Sequence, residues 1–328
     1  MKDSSHPYDE LTPDLVIDAV ESAGYLSDAR LLALNSYENR VYQVGIEDAE
    51  PLIAKFYRPG RWTDEQILEE HSFSHELLQA DISVVAPSID DSGKSLHEYQ
   101  GFRFALFPRR GGYPPELDNF DNLLILGRTL GRIHAVGRAS PFQHRHSISI
   151  DSMLAASREF LLEHFIPKEL RPAYESLTAD LLREVESRYG QVDPTSGIRV
   201  HGDCHVGNIL WRDDVAHFVD LDDCCTAPAI QDLWMFLSGE RHHQQLQLSE
   251  LIEGYSEFCD FNPAELHWVE SLRTLRIVNY AAWLGRRWSD PAFPHSFTWF
   301  NSERYWASHI LELREQLAAL QEEPLQLL

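Results

Sequence analysis

Residues 199–223 combine acidic, amide and histidine side chains in an order that suits phosphoryl transfer. They read RVHGDCHVGNILW, then the polar turn RDD, then VAHFVDLDD. The apolar residues on either side of the turn predict two paired strands. Such a hairpin brings Asn208, which precedes its first strand, close to Asp220, which ends its second strand. Asp203 lies on the loop that enters the hairpin.

These three residues match what phosphoryl transfer requires. The reaction needs a carboxylate that orients or deprotonates the attacking hydroxyl, and oxygen ligands for the Mg²⁺ that bridges the nucleotide phosphates. Asp203 is the predicted base, and Asn208 and Asp220 are the predicted Mg²⁺ ligands. Their spacing also fits the kinase catalytic loop, in which a metal-binding Asp follows one hairpin after the Asn. We therefore expect an enzyme that transfers the γ-phosphate of ATP.

Other interpretations of this stretch remain open. Asp and Asn are common in turns and helix caps, so any one of the three could be purely structural. His201, Asp203 and His205 alternate along the chain and could bind zinc in a metallohydrolase, although we find no matched set of further ligands. We expect His201 and His205 instead to pack within the loop and to hydrogen-bond with backbone groups. A non-catalytic scaffold that keeps the same side chains is a further alternative.

The residues before this stretch predict a small β-rich unit. Strands are predicted over 40–46, 52–57 and 102–107, with a turn over 47–51 between the first two. A helix is predicted to begin at a capping box formed by Thr63 and Gln66, the kind of start that satisfies free backbone N–H groups.

A lysine in the second strand and a glutamate in this helix complete the predicted ATP site. Lys55 lies in the apolar strand LIAKFY, where a kinase places the lysine that contacts the phosphates. The helix offers Glu69 and Glu70 as its partner. We favour Glu70 because its spacing to the apolar residues places it on or near the packed face of the helix.

The glycine-rich phosphate loop of many kinases is absent. Its place before the first strand is taken by residues 34–40, LNSYENR. Backbone N–H groups in a tight turn can still cradle phosphate without glycine. We expect Ser36 and Asn39 to add side-chain donors.

After about residue 115 the pattern becomes helical. Helices are predicted over 123–136, 152–163 and 168–189, and again from Ile230, with breaks, to about Glu322. The predicted fold class is α+β, with a small antiparallel β lobe and a larger, mainly helical lobe. We place the nucleotide-binding lobe and its hinge at residues 1–108, and the catalytic and substrate lobe at residues 109–328.

Composition narrows the class of protein further. The chain has 328 residues and a formal net charge of −24, which argues against a nucleic-acid backbone as the main partner. No stretch approaches the roughly 20 apolar residues that span a bilayer, and the N-terminus lacks the apolar segment of a signal peptide. The four cysteines form no regular framework, which indicates a reducing cytosol. We therefore expect a cytoplasmic protein with no membrane or nucleic-acid partner.

The segments HGDCHVGNILW and FVDLDD resemble those of the aminoglycoside phosphotransferase and choline kinase superfamily, relatives of the eukaryotic-like protein kinases. LNSYENRVYQV, AKFYRP, QDLWMFL and RRWSDPAFP extend the resemblance over nearly the whole chain, to a branch of bacterial stress-response kinases. This resemblance implies a bilobal protein-kinase-like fold. It also implies a cytoplasmic monomer that phosphorylates serine and threonine in proteins, itself included, under envelope or oxidative stress.

The resemblance also implies roles for individual residues. It makes Ser36 a nucleotide-contacting position and Lys55 the phosphate-binding lysine. Asp232, in QDLWMFL, matches a structural aspartate that steadies the catalytic loop, and His201 is expected to support the same loop.

The acceptor is not fixed by these residues, because the same catalytic set serves different substrates. The alternative to a protein acceptor is a small hydroxyl compound such as an amino sugar, choline or homoserine. Two features could line a pocket for a cationic amine: the acidic pair Asp222 and Asp223, and the aromatic residues Trp234, Trp283 and Trp288. We expect these residues instead to belong to the core and to the surroundings of the metal.

Overall fold

A computed structural model describes residues 8–193 and 196–328 and places a five-stranded antiparallel sheet ahead of a larger set of helices. The strands lie in the order β1-β2-β3-β5-β4. They are β1 (Ser27–Ala33), β2 (Arg40–Ile46), β3 (Ala49–Phe56), β4 (His97–Tyr99) and β5 (Phe102–Pro108). Lys55 lies near the end of β3 and pairs with Val41 on one side and Ala105 on the other. The lysine is thus held in the middle of the sheet.

The turn between β2 and β3 is shorter than the predicted turn over 47–51. Ile46 pairs with Ala49, and Asp48 adopts a left-handed conformation with φ 54°. Pro51 therefore lies inside β3, at the point where the register between β2 and β3 shifts. Proline has no N–H to donate, and such a break in the ladder is where a strand tolerates it.

Two helices pack against the sheet. Helix α1 (Pro13–Ser22) was not predicted, and it buries Val16, Ala19 and Val20 in the apolar cluster beneath the strands. Helix α2 (Asp64–Gln79) begins at the predicted capping box, with both of its hydrogen bonds present between Thr63 and Gln66. The residue at which α2 begins determines which of its side chains face the sheet.

We expect Thr63→Ala to lower the free energy of unfolding by about 1 kcal/mol, because the side chain that accepts the Gln66 N–H is removed. Urea unfolding of the purified variant measures this loss. Ser72→Ala is the matched control, since it removes an exposed hydroxyl from the middle of the same helix. Equal unfolding midpoints for the two variants would show that the cap contributes nothing.

The remaining helices form the larger part of the fold. The helix predicted over 123–136 is confirmed within α3. The helix predicted over 152–163 begins instead with a π-helical turn at Asp151–Ala155. The helix predicted over 168–189 begins three residues later than expected, and it has a proline in its first turn. These helices are α3 (Phe120–Gly137), α4 (Ala156–His164), α5 (Arg171–Tyr189), α6 (Ile230–Leu233), α7 (Arg241–Ser256), α8 (Val269–Arg286), α9 (Ala292–Ser296) and α10 (Glu303–Gln321).

Two short antiparallel pairs carry residues 198–227 through the helical part. Strands β7 (Ile209–Arg212) and β8 (Val215–Phe218) form the predicted hairpin, in which Ile209 pairs with Phe218. Strand β6 (Ile198–Val200) pairs with β9 (Cys225–Ala227). The two pairs bracket the loop at residues 201–208 and the segment at residues 219–224.

Helices α3 and α7 approach each other to backbone contact. A Cβ atom at Gly127 would collide with the carbonyl oxygen of Leu251, and one at Gly254 would collide with the carbonyl oxygen of Leu124. Glycine is therefore required at both positions. This contact fixes the position of α3, which carries His134.

The predicted α+β architecture, a small antiparallel sheet followed by a mainly helical part, is confirmed. Strand β5 ends at Pro108, where the boundary between two domains was expected, and that boundary stays a prediction. All four cysteines are buried and free. Among the described helices, none combines the length and apolar character needed to cross a bilayer.

Candidate active site

A cleft with a volume of about 960 Å³ lies between the sheet and the helices and is lined by both. It contains most of the side chains that the sequence singled out. Those at its wall are Ser36, Lys55, Glu70, Asp203, Asn208 and Asp220. The supporting residues His201 and Asp232 are buried behind them.

Asp203 lies on the loop before the β7–β8 hairpin, with both carboxylate oxygens in contact with other groups. Arg276 Nη1 donates to Oδ1, and His205 Nε2 lies 3.4 Å from Oδ2. Burial would raise the pKa of Asp203, but His205 and Arg276 outweigh it and hold that pKa below its usual range. The carboxylate therefore stays ionised at neutral pH.

Asn208 and Asp220 offer oxygen atoms on either side of the hairpin. The Val219 N–H donates to the Asn208 carbonyl over 3.0 Å, so the backbone next to Asp220 is held beside Asn208. The Asn208 amide nitrogen donates to the Asp203 carbonyl over 2.9 Å, so its amide oxygen is the atom left for a cation. Asp220 has φ 58° and a half-exposed side chain, and its Oδ1 lies 3.1 Å from Lys55 Nζ. A carboxylate and an amide oxygen are the hard donors that Mg²⁺ takes, so the donor set fits this ion.

Asp232 fixes the backbone of the catalytic loop from beneath. Its Oδ2 accepts from the His201 N–H over 2.7 Å, and its Oδ1 accepts from the Gly202 N–H over 2.9 Å. His134 of α3 contacts Oδ2 over 3.0 Å. The His201 ring donates to the Val219 carbonyl over 2.9 Å, the backbone contact expected of it. These contacts hold the loop backbone, and the supporting roles of Asp232 and His201 stay predictions.

Lys55 is buried among three carboxylates. Its Nζ lies 3.5 Å from Glu70 Oε1, 3.1 Å from Asp220 Oδ1 and 3.1 Å from Asp222 Oδ1. Burial would lower the pKa of Lys55, but Asp222, Glu70 and Asp220 outweigh it and raise the pKa well above its usual value. The lysine is therefore a permanent cation that faces the cleft.

The structure favours Glu70 over Glu69 as the partner of Lys55. Glu69 is engaged elsewhere, since its carboxylate accepts the backbone N–H groups of Gln143, His144 and Arg145. Burial raises the pKa of Glu70 to about 7, and the Lys55 ammonium opposes that rise.

Behind Lys55, His71 is buried between two hydroxyl groups. Its Nε2 lies 2.7 Å from the Tyr57 hydroxyl and its Nδ1 lies 2.8 Å from Ser95 Oγ. Burial, and then the charge of Lys55, lower the pKa of His71 from 6.5 to about 3. The imidazole is neutral in the folded chain over the physiological pH range.

We expect His71 to make the folded chain less stable as the pH falls below 6.5, because the unfolded chain then binds a proton that the folded chain does not. The free energy of unfolding should fall by at most about 1.4 kcal/mol per pH unit on this account. His71→Gln should show a shallower slope between pH 6.5 and 4, measured by urea unfolding. His295→Gln, at an exposed position, is the control, and equal slopes for wild type and His71→Gln would contradict the expectation.

The loop that replaces a glycine-rich loop uses its polar side chains internally. Ser36 Oγ donates to the Asn39 carbonyl over 3.1 Å and lines the cleft. The Asn39 side chain accepts from the Arg58 N–H and donates to Asp222 Oδ2, each over 3.1 Å. One of the two amide N–H groups of Asn39 is thus already used, and its expected donation to a phosphate stays a prediction. The nucleotide contact of Ser36 stays a prediction.

Arg61, which the sequence did not single out, joins the sheet side of the cleft to the segment after Asp220. Its guanidinium pairs with Asp222 and lies 2.5 Å from Asp223 Oδ1. Burial would lower the pKa of Arg61, but Asp222 and Asp223 raise it. Nothing local in the sequence indicates these pairs, because the partners are more than 150 residues apart.

A second set of ion pairs joins residues 38–58 to the end of α8 and the turn after it. Glu38 Oε1 lies 2.8 Å from Arg287 Nη2 and 3.1 Å from Arg58 Nε. Arg58 also pairs with Asp290, and Arg40 Nη2 lies 3.3 Å from the same carboxylate. Together these pairs link the two sides of the cleft at one end.

A pocket for a cationic amine and a zinc-hydrolase site find less support. Asp222 and Asp223, which could have bound an amine, are paired with Arg61. Of the three tryptophans considered for an amine pocket, Trp283 lines the cleft, and its Nε1 donates to Glu38 over 2.6 Å. Within residues 8–193 and 196–328, no three His, Cys, Asp or Glu side chains are placed to hold a metal together, as a zinc hydrolase would require.

Comparison with known proteins extends over the whole chain. A relative from Escherichia coli (strain K12), named stress response kinase A, is 45% identical over 328 residues, which cover 100% of this chain and 99% of the relative. A relative from Salmonella typhimurium (strain LT2), named serine/threonine protein kinase RdoA, is 44% identical over the same shares of both chains.

Solved structures with the same fold are more distant in sequence. A complex titled amicoumacin kinase hAmiN with AMP-PNP, Ca²⁺ and Ami matches with a TM-score of 0.72, at 18% identity, over 94% of this chain and 93% of that one. A microcompartment-associated aminopropanol kinase matches with a TM-score of 0.67, at 17% identity, over 93% and 96%. The family profile described as phosphotransferase enzyme family matches residues 30–269. On this profile and the 45% identity across the full length, the chain belongs to the phosphotransferase enzyme family.

Proposed function

We propose that the chain is a serine/threonine protein kinase that uses ATP and Mg²⁺ and acts in a bacterial stress response. The observation that carries the proposal is the placement of Asp203, Asn208, Asp220 and Lys55 around one cleft. The names of relatives 44–45% identical over the whole chain supply the acceptor class and the stress response.

In this proposal Asp203 orients the acceptor hydroxyl and takes its proton. The hydroxyl oxygen forms a bond to the γ-phosphorus while the bond from that phosphorus to the bridging oxygen breaks, and ADP leaves with the electron pair. Lys55 contributes a fixed positive charge beside the phosphates, and Asn208 and Asp220 hold the metal. When bound, Mg²⁺ neutralises the charge that develops on the phosphate oxygens.

The remaining predicted site residues are assigned supporting roles. Glu70 holds Lys55 in the sheet through the 3.5 Å contact, so the ammonium stays at the cleft wall. Ser36 lies at the cleft wall on the loop before β2 and is proposed to contact the nucleotide. His201 and Asp232 keep the catalytic loop in place.

A kinase of a small hydroxyl compound is the second candidate function. The solved structures that share the fold include an aminopropanol kinase and an amicoumacin kinase. At 17–18% identity they support the fold and not the acceptor. The cleft volume of about 960 Å³ would admit either a nucleotide with a small alcohol or a nucleotide with a peptide segment.

One assay separates the two candidates. The purified protein is incubated with γ-labelled ATP and Mg²⁺, first alone, then with a bacterial extract, then with a panel of small alcohols and amino alcohols. We expect labelled phosphate on serine and threonine of proteins, the chain itself included, with sites identified by mass spectrometry. Label found only on small alcohols would reject the protein-kinase proposal. Asp203→Ala is the negative control.

We also propose that the chain works in the cytoplasm as a monomer. Four buried, free cysteines suit a reducing compartment, and ATP is present there. Cell fractionation and gel filtration of the purified protein test the two parts of this proposal separately.

A further inference from the structure

One face of α8 lines the cleft on the side of Asp203. It presents Arg276, Asn279, Tyr280 and Trp283, which are spaced as i, i+3, i+4 and i+7 and therefore share a helix face. Helix α8 belongs to the helical part, opposite the strand that carries Lys55. Arg276 contacts Asp203 itself, so this face borders the place where an acceptor must meet that carboxylate.

Arg276 is the only cation of this face, and its side chain is 38% exposed. One guanidinium nitrogen, Nη1, donates to Asp203 Oδ1. Within the described part of the chain, Asp203 is the one carboxylate paired with Arg276. A guanidinium has five N–H donors in a planar fork and can hold two carboxylates at once. Arg276 therefore has donors left for a second anion beside the catalytic carboxylate.

A cationic acceptor would find no unpaired carboxylate in the described wall of the cleft. The acidic side chains there are Glu38, Glu70, Asp203, Asp220, Asp222 and Asp223. Each lies within 3.5 Å of an arginine or lysine nitrogen. An amine would therefore have to share a carboxylate that already pairs with a cation. An acid, in contrast, would meet the remaining N–H donors of Arg276.

We propose that the acceptor end of the cleft selects a serine or threonine that has an aspartate or glutamate within one or two residues, and that Arg276 determines this specificity. This inference rests on the proposed protein-kinase function and deepens it. Arg276 keeps its contact with Asp203 through Nη1 and pairs with the acceptor carboxylate through its remaining N–H groups. The acceptor hydroxyl is thereby fixed at a set distance from Asp203.

The aromatic residues of the same face complete the acceptor site. The Tyr280 and Trp283 rings stack with centroids 5.6 Å apart, and Tyr280 is 42% exposed. Such a surface supports the hydrocarbon part of a peptide without adding charge. On this face of α8, charge recognition thus falls to Arg276.

Three short peptides test the inference, identical except for Glu, Gln or Lys on either side of one serine. Assays are run at 0.15 M salt, where the Debye length is about 8 Å, so that the net charge of −24 contributes little at long range. The wild-type kcat/KM is expected to be about tenfold higher for the Glu peptide than for the Gln peptide. The Lys peptide should be the poorest substrate.

Variants of Arg276 assign the preference to its side chain. In Arg276→Gln the Glu and Gln peptides should have equal kcat/KM, chiefly through a raised KM for the Glu peptide. Arg276→Lys should restore part of the preference, and Arg276→Glu should favour the Lys peptide. Arg183→Gln, on an exposed face of α5, is the matched control and should keep the wild-type ratio.

The outcomes distinguish this inference from the function on which it rests. Equal kcat/KM for all three peptides with wild type, or an unchanged preference in Arg276→Gln, would overturn the acidic-acceptor inference and leave the protein kinase standing. Phosphate transfer to small alcohols, with none to any peptide or protein, would overturn both.

Discussion

Asp203→Asn is expected to lower kcat for phosphate transfer by about 10²- to 10⁴-fold, the range that a positioned proton acceptor contributes. The amide keeps the shape of the side chain but cannot take the proton of the hydroxyl. Binding of Mg·ATP should persist, because Lys55, Asn208 and Asp220 are unchanged. Transfer of labelled phosphate measures kcat, and isothermal titration with Mg·ATP measures binding.

The Asp203 prediction has a matched control in the neighbouring hairpin. Asp213 lies in the turn between β7 and β8 with its side chain 88% exposed. Its φ of 52° is a conformation that asparagine accepts, so Asp213→Asn should behave as wild type. Asp203→Asn within a few-fold of wild-type kcat would exclude Asp203 as the proton acceptor.

Asp232→Asn is expected to lower the free energy of unfolding by about 2–4 kcal/mol and to lower kcat as well. The carboxylate is fully buried and accepts from the backbone N–H groups of His201 and Gly202. An amide supplies one oxygen and one NH₂ group, so an NH₂ group would face a donor. The loop that carries Asp203 would then lose one of its two anchors.

Urea unfolding and steady-state kinetics on the same Asp232→Asn preparation measure the two effects. The loss of kcat should exceed what the unfolded fraction explains, because the folded molecules also hold Asp203 less firmly. Asp213→Asn again serves as the control for the loss of one negative charge. An unchanged unfolding midpoint for Asp232→Asn would contradict the role assigned to these hydrogen bonds.

Features that depend on neighbouring residues could be predicted from the sequence. The capping box at Thr63, the hairpin around Asp213 and the order of Asp203, Asn208 and Asp220 are all local patterns. Helix α1 carries a local signal too, with Thr12 as a capping residue and a proline directly after it. Helix α1 was nevertheless not predicted from the sequence.

Contacts between distant parts of the chain could not be predicted in this way. Arg276 meets Asp203 across 73 residues of sequence, and Asn39 meets Asp222 across 183. Neither pair forms a motif. The first depends on how α8 packs beside the catalytic loop within the helical part, and the second depends on how the helical part folds against the sheet. The sequence therefore carries no sign that Asn39 also holds Asp222.

The ion pairs that Glu38 and Asp290 make with arginines have a consequence for how fast the cleft can open. Pulling these groups apart leaves buried charges without partners, and it also separates the Tyr37 ring from the Phe297 ring, whose centroids lie 4.7 Å apart. Because the Glu38, Arg58 and Asp290 side chains are nearly buried, dissolved ions screen these contacts only weakly. If ADP leaves through this opening, its release should be slow and should change little with added salt.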